Sequence, residues 1–243
     1  MTIQTHSYIQ GIHGRAIYRI LRTFPSGLFD AVNLGTHKLE HLTRPEYFKT
    51  LRGEPMTKLR LSFQDALTQA QELTHALAPS CARIEIAGSI RRQCPYVGDI
   101  ELVAIPHYDP LVDLFSQVYG QQSRLDFALD HLVAAARLIP GDKQGERYKK
   151  FIVPPYDVQL DLFITDPDGW GVVFTQRTGS ADFSRWLMTP QAQGGAMPGN
   201  MRCHDRRLWR HGGRLTTPDE QDVFNEIGIP WTAPRHREKG LWK

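Results

Sequence analysis

Cysteine is scarce in this chain of 243 residues: Cys81, Cys94 and Cys203 stand far apart and never in C-x-x-C spacing. That excludes a disulfide framework and a cysteine-built structural zinc, and it fits a reducing compartment. No apolar run approaches the roughly 18 residues of a membrane-spanning helix. The opening Met1-Thr2-Ile3-Gln4-Thr5-His6 lacks the basic region and apolar core of a secretory signal. A cytoplasmic protein with no membrane partner is the expectation. Net charge is small as well, 29 Lys and Arg against 26 Asp and Glu, or +3, which permits a nucleic-acid partner without requiring one. Internal repeats and low-complexity tracts are missing. Hydrophobic residues, at 41%, are enough for a core, built as one large domain or as two or three small ones around a single site.

What the chain does have is concentrated between Ala87 and Val103. Ala87-Gly88-Ser89-Ile90-Arg91-Arg92 is followed, after a six-residue connection, by Asp99-Ile100-Glu101-Leu102-Val103. The pattern reads as strand, tight turn, half-turn of helix and second strand. Successive strand side chains alternate between faces, so Asp99, Glu101 and Val103 share one face while Ile100, Leu102 and Ala104 pack on a core. Two carboxylates about 7 Å apart at Cα can converge on one cation. Upstream, Arg83-Ile84-Glu85-Ile86-Ala87 alternates and stops at Gly88, where backbone can approach a ligand with no Cβ in the way. Ser89 and the amides after it form an anion site, with Arg91 or Arg92 able to clamp phosphate oxygens. Each feature alone is ordinary surface or turn chemistry; their conjunction suits a nucleoside triphosphate with its metal ions.

A third acid lies in Val158-Gln159-Leu160-Asp161-Leu162-Phe163-Ile164. Val158, Leu160, Leu162 and Ile164 take one face, leaving Asp161 on the other with Gln159 and Phe163. A lone acid in so apolar a strand is costly unless it is solvated, paired or metal-bound. If this strand neighbours the Asp99 strand, three carboxylates meet and require a divalent cation, for which magnesium has the right preference for oxygen.

Elsewhere the pattern is coarser. Gly11-Ile12-His13-Gly14-Arg15-Ala16, Ile17 to Leu21 and Pro25 to Val32 read as short helices around glycine turns, with one or two more between Lys38 and Gly53. A strong helix runs from Lys58 to Leu77 on apolar residues at three- and four-residue steps. Helical patterns return at Leu111 to Phe115 and Phe127 to Val133, Gly141 to Glu146 reads as a turn, and Arg147 to Val153 as a strand. Five arginines, Arg202, Arg206, Arg207, Arg210 and Arg214, fall close together and are either solvated surface or phosphate contacts. Near the end, Thr217 as cap, Pro218, acids in the first turn and Gly228 as stop mark a short helix.

Gly88-Ser89-x-x-Arg92, with Asp99 ten residues after the serine and Glu101 two further on, resembles the nucleotidyltransferase superfamily signature, especially that of X-family DNA polymerases of the polymerase beta type. Thr178-Gly179-Ser180 with Phe183 resembles the family's thumb motif, and the proline-arginine close at Pro234 and Arg237 resembles its terminus. The resemblance implies an α+β fold: a nucleotidyltransferase palm of mixed or antiparallel sheet with helices at 55–168, a helical helix-hairpin-helix fingers-like region at 1–54 and a small α+β thumb at 169–243. It implies catalysis and binding of two Mg²⁺ ions, Mn²⁺ able to substitute, by Asp99, Glu101 and Asp161. Nucleotide contacts fall to Gly88, Ser89, Arg91, Arg92, Gly98, Arg177, Thr178, Gly179, Ser180 and Ser184. Contacts to the DNA backbone fall to Gly11, His13, Gly14, Arg15 and Ala16.

The implied function is addition of nucleotides from nucleoside triphosphates to a DNA 3′-hydroxyl on gapped or primed duplex, as gap-filling repair by a monomer without the family's amino-terminal lyase domain. The alternatives are a template-independent or non-DNA-acceptor nucleotidyltransferase and a catalytically silent DNA-gap-binding protein. Four departures from the family's pattern stand out. Glu101 replaces the usual aspartate, and His13 replaces a glycine of the cation-binding hairpin. Ser184 replaces an asparagine that contacts the base pair. Gln176-Arg177 replaces two aromatics that exclude a ribose 2′-hydroxyl.

Overall fold

The computed structural model of the chain describes backbone segments 8–11, 17–23, 29–33, 39–42 and 48–50, and residues 60–113, 117–154, 158–238 and 241–242. Contacts divide the chain into two compact units, Met1–Leu59 with Pro154–Asp157, and Arg60–Val153 with Val158–Lys243.

The first unit is a sheet and not the expected set of helices. Strands β1 (Tyr8–Gly11), β2 (Ile17–Thr23), β3 (Phe29–Asn33), β4 (Leu39–Leu42) and β5 (Phe48–Thr50) pair antiparallel in the order β4-β3-β2-β1-β5. Two things argue for strands. Ile17, Tyr18, Ile20, Phe29 and Val32 are β-branched or aromatic residues that favour strands, and Gly- and Pro-bearing stretches recur at strand spacing. Of the residues expected to touch DNA through a helix-hairpin-helix, Gly11 ends β1 and His13, Gly14, Arg15 and Ala16 lie outside the described residues. Ile17–Thr23 and Phe29–Asn33, where the expected helices of that motif fall, are strands among the described residues.

The second unit begins with β6 (Leu61–Ser62) and α1 (Phe63–Leu77). Ser62 caps α1 by accepting a hydrogen bond from the Asp65 amide, and Ala66, Ala70, Leu73 and Leu77 form its buried stripe. Then follow β7 (Cys81–Ile86), the single turn α2 (Gly88–Arg91), β8 (Tyr96–Val97) and β9 (Asp99–Pro106). Next are β10 (Tyr108–Val112), β11 (Val118–Ser123), α3 (Arg124–Ala134), β12 (Ile139–Gly145), β13 (Tyr148–Val153) and β14 (Val158–Ile164). Two expectations fail here. Leu111 and Val112 belong to a two-stranded hairpin of β10 with β11, and Gly141 to Gly145 to strand β12. Short apolar runs and glycine-bearing runs do not separate these states by periodicity alone.

The central sheet has the order β12-β13-β14-β9-β7, with β14 parallel to β9 and every other pair antiparallel. Both of its faces are covered. Ile100, Leu102, Leu160 and Leu162 are fully buried on one, and Val103, Ile105 and Phe163 pack on the other against Trp170, Val173 and Phe174 of α4 (Trp170–Thr178).

Helix α4 is apolar nearly all round because it serves two cores. Its Val172 turns the opposite way, into a cluster with Phe183 and Leu187 of α5 (Ala181–Met188) and Val223, Phe224 and Ile227 of α6 (Glu220–Ile227). Strands β15 (Met201–His204), β16 (Arg207–Arg210) and β17 (Gly213–Arg214) close this C-terminal layer. Its cap is Asp219 in place of the expected threonine, with Asp222 completing a capping box. Among the described residues no helix is long and apolar enough to cross a membrane.

Phe174 is the side chain on which α4 meets the sheet, 2% exposed and 5.1 Å from the Trp170 ring. Phe174→Ala should cost about 3–5 kcal/mol by leaving a cavity there, read as a lower midpoint in urea unfolding.

Candidate active site

The register of β14 on β9 decides where the acids go. Asp161 stands opposite Glu101 and Gln159 opposite Asp99, and because paired residues point to the same side and each strand alternates, all four side chains share one face. The turn at α2 approaches the same end, tied by the Ala87 amide to the Glu101 carbonyl at 2.8 Å. Gly88 has φ +61°, and a Cβ there would fall 2.0 Å from Oε2 of Glu101. Glycine is therefore required twice over, for the left-handed backbone and for the space that the longer glutamate arm occupies. Ser89 Oγ is buried beside it with no hydrogen-bond partner, a hydroxyl poised for a ligand.

The acids also act on one another electrostatically. The Glu101 carboxyl is pushed up to about 7, first by burial and then by Asp99, with Asp161 adding to the effect and Arg177 and Arg92 opposing it. Asp161, 9% exposed, is held on both oxygens. Oδ1 accepts from the Tyr148 hydroxyl at 2.6 Å and from Gln159 Nε2 at 2.8 Å, and Oδ2 accepts from the same amide at 2.9 Å. Burial, then the bond to Asp161, pushes the Tyr148 hydroxyl above its ordinary value. Among the described residues no three His, Cys, Asp or Glu side chains stand as a ready ligand set; Asp161 is turned to its two donors. The donor chemistry still suits a divalent cation: three carboxylates on one face, one of them destabilised as an anion, beside an unpartnered hydroxyl.

The two arginines expected on phosphate are used by the chain itself. Arg91 donates from Nη1 to Thr178 Oγ1 and from Nη2 to Glu220, both at 2.7 Å, with its guanidinium 4.0 Å over the Phe174 ring. Arg92 donates from Nη1 to the Thr178 carbonyl at 2.8 Å and from Nε to Glu238. Glu220 is nearly buried and also accepts from Arg237, which is fully buried. Burial works to raise the Glu220 carboxyl, and the bonds from Arg91 and Arg237 overcome it and hold the group low.

The segment after α4 is likewise engaged. Gly179 ends α4, Ser180 caps α5 by accepting from the Phe183 amide, and Ser184 donates to the Gln176 carbonyl at 2.7 Å. Arg177 is exposed and lies 3.9 Å over the Phe163 ring. Gly98 lies just before Asp99, on the connection from β8.

The arginine cluster near the C-terminal end is mostly spent on ion pairs and carbonyls. Arg207 pairs with Asp166, Arg210 with Glu226 and Arg214 with Asp168, while Arg206 caps the Ile164 and Arg147 carbonyls. Sequence reasoning put Gln159 on the right face without a role and missed Tyr148, Glu220 and Glu238. The strand alternation around Tyr148 held the only signal for it.

No family profile and no curated protein matches the chain. Among solved structures it is similar to Leishmania infantum polymerase beta in a ternary primer–template complex, with a TM-score of 0.58 and 18% identity over 74% of this chain and 77% of that one. The likeness establishes a polymerase beta-like fold.

Because Glu101 is easier to protonate in the folded chain than in the unfolded one, the folded state binds more protons between the ordinary 4.5 and about 7. Stability of the metal-free protein should therefore rise as pH falls from 8 through 7 towards 5. Melting curves in EDTA across that range test this, and Glu101→Gln should flatten the slope.

Proposed function

We propose that the chain is a nucleotidyltransferase that adds nucleotides from nucleoside triphosphates to the 3′-hydroxyl of gapped or primed DNA, acting as a monomer in gap filling. The observation that carries this reading is the β9–β14 register, which sets Asp161 beside Glu101 and Asp99 at the edge of the Gly88-Ser89 turn. The polymerase beta-like fold supports it. Asp99, Glu101 and Asp161 would hold two magnesium ions, or manganese, and these would supply charge neutralisation at the phosphates and a lowered pKa for the primer hydroxyl.

The rest falls to the chain. Ser89 Oγ and the amides of α2 donate to phosphate oxygens, Arg92 adds positive field, and Arg91 acts as a strut between α2 and α6. Asp161 orients the attacking hydroxyl and takes its proton as that oxygen bonds to the α-phosphorus and pyrophosphate leaves. Residues 55–168 then correspond to a palm and 169–243 to a thumb.

Purified protein with Mg²⁺ should extend a primer on gapped DNA, and Asp161→Ala should lower the rate at least about 100-fold. Extension undiminished in that variant would remove the catalytic assignment. Single-stranded and RNA primers in parallel identify another acceptor, and DNA binding without incorporation would mark a silent binder. Where an aromatic pair would exclude a 2′-hydroxyl, Gln176 is turned towards Cys203 and Arg177 lies on Phe163. Ribo- and deoxyribonucleotides should accordingly be incorporated with kcat/KM within about tenfold of each other, since neither side chain at these two positions is an aromatic that could reject the hydroxyl.

A further inference from the structure

We propose that Tyr148 is a positioning residue for Asp161, committing Oδ1 to its hydroxyl so that Oδ2 is the oxygen presented to the cation and the primer hydroxyl. The inference rests on the nucleotidyltransferase reading. A carboxylate as buried as Asp161 must be matched by donors, and short bonds to it are strong ones. Here the donors are unequal: Oδ1 accepts from both Tyr148 and Gln159, whereas Oδ2 accepts from Gln159 alone. With about two acceptor positions per oxygen, Oδ1 is filled and Oδ2 retains capacity.

The phenol is itself fixed. Tyr148 pairs with Phe163 across β13 and β14, so its hydroxyl reaches diagonally to the residue two places back on the same face. Its ring stacks on Phe163 with centroids 5.1 Å apart and planes 21° from parallel. Phe163 is buried and also carries the Arg177 guanidinium. The arrangement is that of an outer group orienting a ligand through a hydrogen bond.

Tyr148→Phe keeps the ring and its stack and deletes only the hydroxyl. Mn²⁺ affinity of the nucleotide-free protein, measured by electron paramagnetic resonance titration, should fall about 10–100-fold, and kcat for primer extension by a similar factor. KM for the nucleoside triphosphate at saturating metal should change less than about twofold, because the phosphate contacts lie on α2. The melting temperature should drop by no more than about 2–4 °C, the loss of one hydrogen bond in a chain of this size. Unchanged Mn²⁺ affinity would overturn the proposal, whether or not the variant melts lower. A wild-type chain that extends primers while Tyr148→Phe matches it in kcat and Mn²⁺ affinity would sink this inference and leave the proposed function standing. A wild-type chain that neither binds Mn²⁺ nor extends primers would sink both.

Discussion

The parallel pairing of β14 with β9 is the constraint on which the site depends. A strand shifted by one residue exchanges its faces, and here that would turn Asp161 away from Glu101 and into the apolar layer where Leu160 and Leu162 now sit fully buried. The register is held because the price of slipping falls on both faces at once: one packs Ile100 and Leu102 with their partners on β14, the other packs Val103 and Phe163 beneath α4. The acids occupy the end of the face that α4 leaves uncovered. Chemistry and core thus share one surface, divided along the strand direction.

A second theme is that cations near the site turn inward. Arg91, Arg92 and Arg237 carry charges that could have faced a ligand, yet each is bonded to the chain. Glu220 between Arg91 and Arg237 is a buried ionic group whose loss would strand two guanidiniums, a far larger penalty than any surface pair. It links α2, which carries the Gly88-Ser89 turn, to α6 in the C-terminal layer. Movement of that layer would therefore be felt at the turn through a bonded path.

Much of the second unit was legible in the sequence, and for a physical reason. Where polar residues stand two apart in an apolar strand, as Asp99 and Glu101 do, or a single acid lies in an apolar run, as at Asp161, period two leaves little choice of face. Helix α1 announced itself through its apolar stripe, although the reading from Lys58 began it too early: Leu61–Ser62 is a strand and Ser62 caps a helix that starts at Phe63. The first unit was misread because its segments are short and carry apolar residues at spacings that either period accommodates, so pairing between strands, mostly neighbours in sequence, decided the outcome. Tyr148 was hidden for another reason: its partner is across a strand pair, and no local pattern encodes which hydroxyl will meet which carboxylate. The bonds of the arginines were not legible either, because sequence shows charge but not the carboxylate or carbonyl that will meet it.

The hairpin of β15 and β16 turns on two residues, Asp205 and Arg206, both with positive φ, at 49° and 61°. Turns of this kind usually recruit Asn-Gly, and each side chain held in the left-handed region costs about 1–2 kcal/mol. The cost purchases reach. Arg206 extends from the tip to the carbonyls of Arg147 and Ile164, which no glycine could do, and Asp205 meets Arg147. The bend is thus less a connector than a clasp, and a swap to Asn-Gly would relax the loop while removing these bonds between the C-terminal layer and the sheet.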